Sequence, residues 1–335
     1  MNEQMNGQLS ELWRQAEEYG VSRGTSLETG LGELIAQAPE IFRDLLTAGL
    51  GTGIKLLAVA LVCALGREME DVGQTRALSA VRLAGALAVT ALTMTDVAAM
   101  IGLGRDTIAR MDLFAGVLLP AMAVLTALSG SITAAAARQG ATVLFSKGLV
   151  AAMDGVLVPL VYAFVVVNCA RAASGSKGLE RLAQGIKSLV TGMLTVLLVV
   201  FVGYLTASGA IAGSVDVSRV KAARMAISRA IPVVGSILAD ASETVLAGAG
   251  ALRGSVGAAG LLVVLAICLV PFLHLGVQYI IYKGTAALCA VAAPSELAGL
   301  IDAIGSAFGL ILGMTGASAL ILLISVVSAV LSVSG

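Results

Sequence analysis

The chain has 335 residues, of which 58% are apolar and only 13% are charged, with 21 basic residues balancing 21 acidic ones. Soluble domains carry about 25% charged residues, so these charges are too few to cover a soluble fold of this length. The mean hydropathy is +0.97. The composition indicates an all-α, polytopic membrane protein whose main neighbour is the lipid bilayer. The basic residues form no block, which argues against a nucleic-acid partner.

The beginning of the chain differs from the rest. Residues 1–44 are polar and acidic, and we predict an N-terminal region there, followed by a multi-pass membrane domain over residues 45–335. Apolar residues between Leu27 and Leu45 recur at helical spacing, which predicts an amphipathic helix interrupted near Pro39. No basic stretch followed by an apolar run opens the sequence, so no signal peptide is predicted.

Segments long enough to cross a hydrocarbon core of roughly 30 Å then follow one another. About seven transmembrane or re-entrant helices are predicted, from eight candidate segments at 45–65, 83–104, 113–137, 148–170, 188–215, 231–252, 254–282 and 303–335. Basic amphipathic loops are predicted at 171–187 and 216–229, on either side of one span. The positive-inside rule would place both loops in the cytoplasm, which a single crossing forbids, so the orientation stays open.

The prolines indicate an internal repeat. Pro120 and Pro159 are separated by the same number of residues as Pro232 and Pro271, and a shift of 112 residues aligns the Leu-Val-Pro motifs that end at Pro159 and Pro271. This pattern predicts two repeats, about 78–171 and 190–283. Repeats with interrupted helices are typical of transporters, whose pathway lies near the repeat interface. The segments 118–137 and 231–252, each with a proline near its start, decide how the repeats are related. The two repeats are inverted if these segments cross the membrane, and parallel if they enter and leave it on the same side.

Acidic residues in apolar segments are the sharpest candidates for a site. A carboxylate that faces hydrocarbon costs at least ~2.5 kcal/mol, so such a residue either lines a polar pathway, has a buried partner such as Lys55 or Arg82, or lies at the interface in water. Proline and glycine mark the positions where a helix breaks near a pathway. The candidate pathway or helix-break positions are Asp96, Asp154, Asp240, Glu243, Pro120, Pro159, Pro232, Gly235 and Pro271.

The motifs of enzymes are missing from the sequence. No phosphate-binding loop and no Gly-x-Ser-x-Gly elbow occurs, the four cysteines form no Cys-x-x-Cys pair, and His274 is the single histidine. We therefore predict no catalytic residue, no cofactor and no metal site. Glycines at helical spacing, such as Gly49-x-x-x-Gly53, predict close helix packing within one chain, with contacts between copies in a homo-oligomer as the alternative.

Several segments carry a family resemblance. Residues 226–235, Ala-Ile-Ser-Arg-Ala-Ile-Pro-Val-Val-Gly, with Asp240 and Glu243 downstream, resemble the stage III sporulation protein AE family of endospore-forming bacteria. The segments 54–65, 201–205 and 267–271 are similar to it as well, and the resemblance covers about residues 40–335. Members of this family normally begin with a signal sequence, which leaves the side of the membrane for residues 1–44 open.

The resemblance implies a multi-pass protein in the mother-cell membrane around the engulfed forespore. It implies a subunit of a channel, or feeding-tube, complex that is needed for late forespore development and that includes the stage III sporulation proteins AA to AH. The AA member resembles a secretion ATPase, so this chain would not be an enzyme. A non-conducting membrane scaffold that recruits ring-forming and ATPase partners is the alternative. The resemblance carries over no catalytic residue.

Overall fold

The computed structural model describes residues 27–68, 75–128, 144–145, 147–207 and 255–334, and these residues are helical apart from two short turns. Six of the helical segments are long and apolar enough to cross a membrane. The helices are α1 (Leu27–Glu68), α2 (Thr75–Leu128), α3 (Val158–Ser174), α4 (Lys177–Ala207), α5 (Ser255–Ala292) and α6 (Ser295–Ser334). The predicted all-α class is thus confirmed over these residues. The predicted number of about seven helices is not, and the candidate span 231–252 lies outside them.

Three boundaries differ from the sequence prediction. Helix α1 runs without interruption through Pro39, which lies on the exposed side of the helix where its ring displaces no packed neighbour. Residues 171–187, predicted as a loop, form the end of α3, a two-residue turn and the start of α4. Gly175 makes the turn possible because its φ of 67° is left-handed, and its N–H caps α3 by donating to the Arg171 carbonyl at 2.7 Å.

Helix α2 joins two segments that were predicted as separate spans. Residues 83–104 and the beginning of 113–137 lie in the same helix, which continues to Leu128. The charged residues between these two segments remain helical and form ion pairs with residues 147–157. Arg105 binds Asp154 at 3.0 Å, and Lys147 binds Asp112 at 2.7 Å. Ion pairing across the two segments therefore replaces the expected loop.

The helices form three antiparallel pairs, α1–α2, α3–α4 and α5–α6, and the described turns of the last two pairs lie at the same end of the bundle as the start of α2. At this hairpin end, the Arg82 guanidinium lies against Gly175, and Arg171 lies against Gly299. Gly85 of α2 lies between Cys63 of α1 and Leu297 of α6. The end of α1, the start of α2 and the two described turns are therefore on the same side of the bundle.

Helix α6 occupies the centre. It packs against α2, α3, α4 and α5, and every residue from Ala303 to Val327 is buried. A helix that is apolar all round is stable only in such a position. Two glycines allow the close approach, because a Cβ at Gly104 of α2 would overlap Cγ2 of Ile311, and one at Gly305 would lie 3.1 Å from Cβ of Tyr282.

Helix α1 lies outside this core and packs against α5 and α2. A Cβ at Gly49 would overlap Cδ1 of Ile281, and one at Gly53 would lie 2.8 Å from Oγ1 of Thr285. The prediction that Gly49-x-x-x-Gly53 serves packing within the chain is confirmed. The same backbone approach explains why two small residues are spaced four apart on this face.

The internal repeat is not confirmed. Pro159 follows a π-helical turn, Met153–Leu157, whereas Pro271 lies inside an uninterrupted α-helix. The two prolines also lie at different distances from the turns that end their helices, 16 residues before Gly175 and 22 before Ala293. A single shift therefore does not superpose both the prolines and the hairpin turns.

Candidate functional site: a polar layer inside the apolar bundle

Asp96 forms the first part of a polar layer that crosses the bundle. It lies on α2 within an apolar segment, and the Tyr282 hydroxyl of α5 donates a hydrogen bond of 2.7 Å to its Oδ2 atom. Among the described residues, no basic side chain forms an ion pair with Asp96. A short hydrogen bond to a charged acceptor is stronger than one between neutral groups, so Tyr282 is the main stabilising partner of this carboxylate.

Tyr282 is held in place by packing on all sides. Its side chain is fully buried, and its ring meets Phe308 of α6 edge-on with centroids 4.9 Å apart. Gly305 leaves room for the tyrosine Cβ beside the α6 backbone. The ring orientation is therefore fixed by α6, so the tyrosine loses no further side-chain freedom when its hydroxyl bonds to Asp96.

The second part of the layer lies on the other side of α5. Lys283, the next residue, donates hydrogen bonds from Nζ to Oδ1 of Asp302 at 2.7 Å and to Oγ of Ser306 at 2.8 Å. Lys187 of α4 donates to the same Ser306 oxygen at 3.4 Å. The Lys283 ammonium also lies 6.0 Å from the centroid of the Tyr279 ring, at the limit of a cation–π contact.

The charges in the layer are balanced overall but unevenly distributed. Two lysines and two aspartates give a net charge of zero, yet Asp96 lies on one side of α5 and the other three charged groups lie on the other side. Asp96 faces a hydroxyl on one side of α5. On the other side, Lys283 binds Asp302, and both Lys283 and Lys187 donate to the Ser306 hydroxyl. The side facing α4 therefore carries a local excess of one positive charge, and the side facing α2 an excess of one negative charge.

A polar stripe on α5 continues from this layer into the apolar part of the helix. His274, Gln278 and Tyr282 are spaced four residues apart, so they share one helix face. The Gln278 Oε1 atom is buried and has no hydrogen-bond partner among the residues that the structure describes. A buried acceptor without a donor is costly, and together with the carboxylate of Asp96 it makes this face suited to water, a proton or a cation.

The structure places the sequence candidates in different parts of the molecule. Asp96 pairs with Tyr282 rather than with Lys55 or Arg82. Asp154 binds Arg105, and the side chains of both are about half exposed, 46% and 53%. The two acids are not brought into one site, because Arg105 lies nine residues beyond Asp96, about 14 Å along α2.

The remaining candidates are helix-break positions or lie outside the described residues. Pro159 lies in the first turn of α3, directly after the π-turn, in which the Val158 N–H bonds to the Met153 carbonyl. Pro120 and Pro271 lie within α2 and α5, which continue past them. Pro232, Gly235, Asp240 and Glu243 are outside the described residues.

Sequence reasoning did not identify Lys187, Tyr282, Lys283, Asp302 or Ser306 as site residues. A signal was present, because Lys187, Lys283 and Asp302 each adjoin a long uncharged stretch of their helix. The three stretches end at one level of the bundle, where these residues meet. In the described part of the chain, no group of three or more His, Cys, Asp or Glu side chains is placed to hold a metal ion.

The described residues form six long apolar helical segments, of which α6 is buried at the centre, and a hydrogen-bonded polar layer crosses them; these are the features of a polytopic α-helical membrane protein. A family model described as Stage III sporulation protein AE matches residues 21–333. The chain therefore belongs to the stage III sporulation protein AE family.

Comparison with curated proteins gives a relative in the same family. The chain is 24% identical over 253 residues to the Stage III sporulation protein AE of Bacillus subtilis (strain 168). The match covers 74% of this chain and 62% of the relative, so the chain spans less than two thirds of the length of that protein. No solved structure matches the chain.

Proposed function

We propose that this protein is a membrane subunit of the sporulation channel, or feeding-tube, complex that links the mother cell with the engulfed forespore. It would lie in the mother-cell membrane around the forespore and support late forespore development. Membership of the stage III sporulation protein AE family and six apolar helices support this assignment. Its partners would be the stage III sporulation proteins AA to AH, with the ATPase-like AA member supplying energy, and the chain itself would not be an enzyme.

The polar layer is the observation that carries the proposal beyond family membership. An ionisable residue within a membrane helix is energetically costly to insert. Such residues line ion or substrate pathways or pair with other polar groups inside the bundle. Asp96 lies within an apolar segment and has a hydroxyl, not a cation, as its partner. An acid kept in this position at a cost to stability suits a protein that handles polar or charged species.

The central position of α6 constrains where a conduit would run. Residues 303–327 fill the middle of the described bundle with buried side chains. A passage for anything larger than water or an ion would therefore lie between copies of the chain, or between the chain and its partners. This favours a multimeric channel over a transporter that carries its pathway within one copy.

A non-conducting scaffold is the second candidate. The filled centre and the glycine-mediated packing of α6 against α2 and α5 favour it, because a rigid, closed bundle is a good platform for ring-forming partners. In that case the exposed basic residues of α4, such as Arg181, would contact partners, and the acid in the layer would be dispensable.

Sporulation of a host that carries substituted copies of the gene distinguishes the two candidates. The channel proposal expects that Asp96→Asn leaves membrane insertion and copurification of the partner proteins unchanged but lowers the yield of heat-resistant spores at least tenfold. Asp154→Asn is the matched control, because this acid is half exposed and pairs with Arg105. The scaffold proposal expects normal sporulation with Asp96→Asn and lost copurification with Arg181→Glu. Normal spores and normal copurification with both variants would contradict both candidates.

A further inference from the structure

We propose that Lys187 and Lys283 form a binding site for the phosphate of an anionic phospholipid head group. The site lies where α4 and α5 approach each other over α6, and the two residues are called the lysine pair below. The inference does not depend on whether the protein conducts or acts as a scaffold.

The lysine pair has too few anionic partners. Lys283 bonds to Asp302 at 2.7 Å and to Ser306 at 2.8 Å, whereas Lys187 has only the Ser306 hydroxyl, at 3.4 Å. In the described part of the chain, no carboxylate lies within ion-pair distance of Lys187. Asp302 is too far from Lys187 to form an ion pair and already binds Lys283, so the half-buried Lys187 ammonium is only partly compensated, which is unfavourable. Ser306 is buried beneath the two ammonium groups, so a phosphate oxygen that approaches the lysines from their exposed side would contact both and supply the missing charge.

The pair lies at the border between polar and apolar surface. Lys187 precedes the uncharged residues 188–215 of its segment, Lys283 follows the uncharged residues 254–282, and Asp302 precedes the uncharged residues 303–335. Phospholipid phosphates lie at this border, between the hydrocarbon core and water. Basic pockets between membrane helices at that level are a recognised way of binding anionic head groups.

The site can be reached from outside the bundle. The Lys283 side chain is 26% exposed and that of Asp302 is 52% exposed. Helix α5 packs closely against α6, whereas α4 contacts α6 only slightly and hardly contacts α5 over the described residues, so no extensive helix interface separates the lysines from the surface. Ile280, one turn from Lys283 on the apolar side, is 51% exposed and offers a contact for an acyl chain. That contact favours a lipid over a free anion.

Lipid binding to the purified full-length protein tests the proposal by native mass spectrometry with phosphatidylglycerol, cardiolipin and phosphatidylcholine as probes. The unchanged protein should retain the two anionic lipids in preference to phosphatidylcholine. Lys187→Met should lower retention of anionic lipid roughly fivefold, the expected effect of one basic residue near an anionic head group, and Lys187→Arg should keep it. Lys177→Met, an exposed lysine at the start of the same helix, is the matched control and should change little.

Several results would overturn the proposal. Equal retention of phosphatidylcholine and phosphatidylglycerol, or anionic binding unaffected by Lys187→Met, would mean that the pair does not bind a head group. Displacement of the lipid by millimolar inorganic phosphate would assign the pair to a free anion. Loss of partner proteins with unchanged lipid retention would assign it to an acidic protein segment. If Lys187→Met fails to fold, Lys283→Gln gives the same readout from the other lysine, because the remaining Asp302 is exposed to solvent.

Discussion

Removal of the Tyr282 hydroxyl measures how much the polar layer stabilises the bundle. Tyr282→Phe keeps the ring and its edge-on contact with Phe308, so the change deletes only the 2.7 Å hydrogen bond to Asp96. Hydrogen bonds to charged groups contribute about 1.5–3 kcal/mol in soluble proteins. Pairs in membrane helices average about 0.6 kcal/mol and reach about 1.7 kcal/mol. Because this bond is short, buried and made to a carboxylate, we expect a coupling energy of about 1–2 kcal/mol.

A double-mutant cycle isolates this energy from the separate effects of each substitution. The free energy of unfolding in mixed detergent would be measured for the unchanged protein, Tyr282→Phe, Asp96→Ala and the double variant. Asp96→Ala also changes stability for reasons unrelated to Tyr282, because it removes an acid that has no cation as partner. The cycle subtracts this separate effect. Tyr279→Phe is the matched control, because the Tyr279 hydroxyl makes no hydrogen bond within the described part of the chain. A coupling energy within about 0.3 kcal/mol of zero would refute the claim that the pair stabilises the bundle.

Two further predictions concern helix contacts. Gly104→Ala should lower the free energy of unfolding by about 1–3 kcal/mol, because the added Cβ overlaps the Ile311 methyl on the buried central helix. Gly102→Ala, two residues earlier with open space around it, should be neutral or stabilising in the same measurement, and equal losses from both would contradict the packing argument. Asp154→Asn should change stability by less than about 1 kcal/mol, since its pair with Arg105 is half exposed; a larger loss would show that the pair is shielded from solvent.

The sequence predicted the fold class and most of the apolar segments because long uncharged stretches have few alternatives to a membrane helix. It failed at helix ends, where the signals are weaker. The charges near Arg105 look like a loop, but they pair with Asp154 and extend α2 instead. Pro39 looks like a helix end, but on an exposed face it can be accommodated. Each outcome depends on whether that side of the helix faces a neighbour or lies exposed, which a one-dimensional pattern does not contain.

The site was predicted only in part for a related reason. Asp96 is visible in the sequence as an acid among apolar residues, but its partner Tyr282 lies 186 residues away. Tyr282 and Lys283 are ordinary residues near the end of a span until the packing of α5 against α2 and α6 gives each an acidic partner. Spacing along the chain identifies an unusual residue, but it does not identify the groups that meet it.

The position of Tyr282 and Lys283 next to each other explains how the layer fixes the arrangement of helices. Consecutive residues point about 100° apart around a helix axis, so one rotation of α5 directs Tyr282 to Asp96 and Lys283 to Asp302. Apolar packing alone discriminates weakly between rotations in lipid, because hydrocarbon tails are as apolar as the side chains they replace. Any other rotation of α5 would leave both acids without their donors. The layer therefore selects one arrangement of α2, α5 and α6, which a channel subunit and a scaffold need equally.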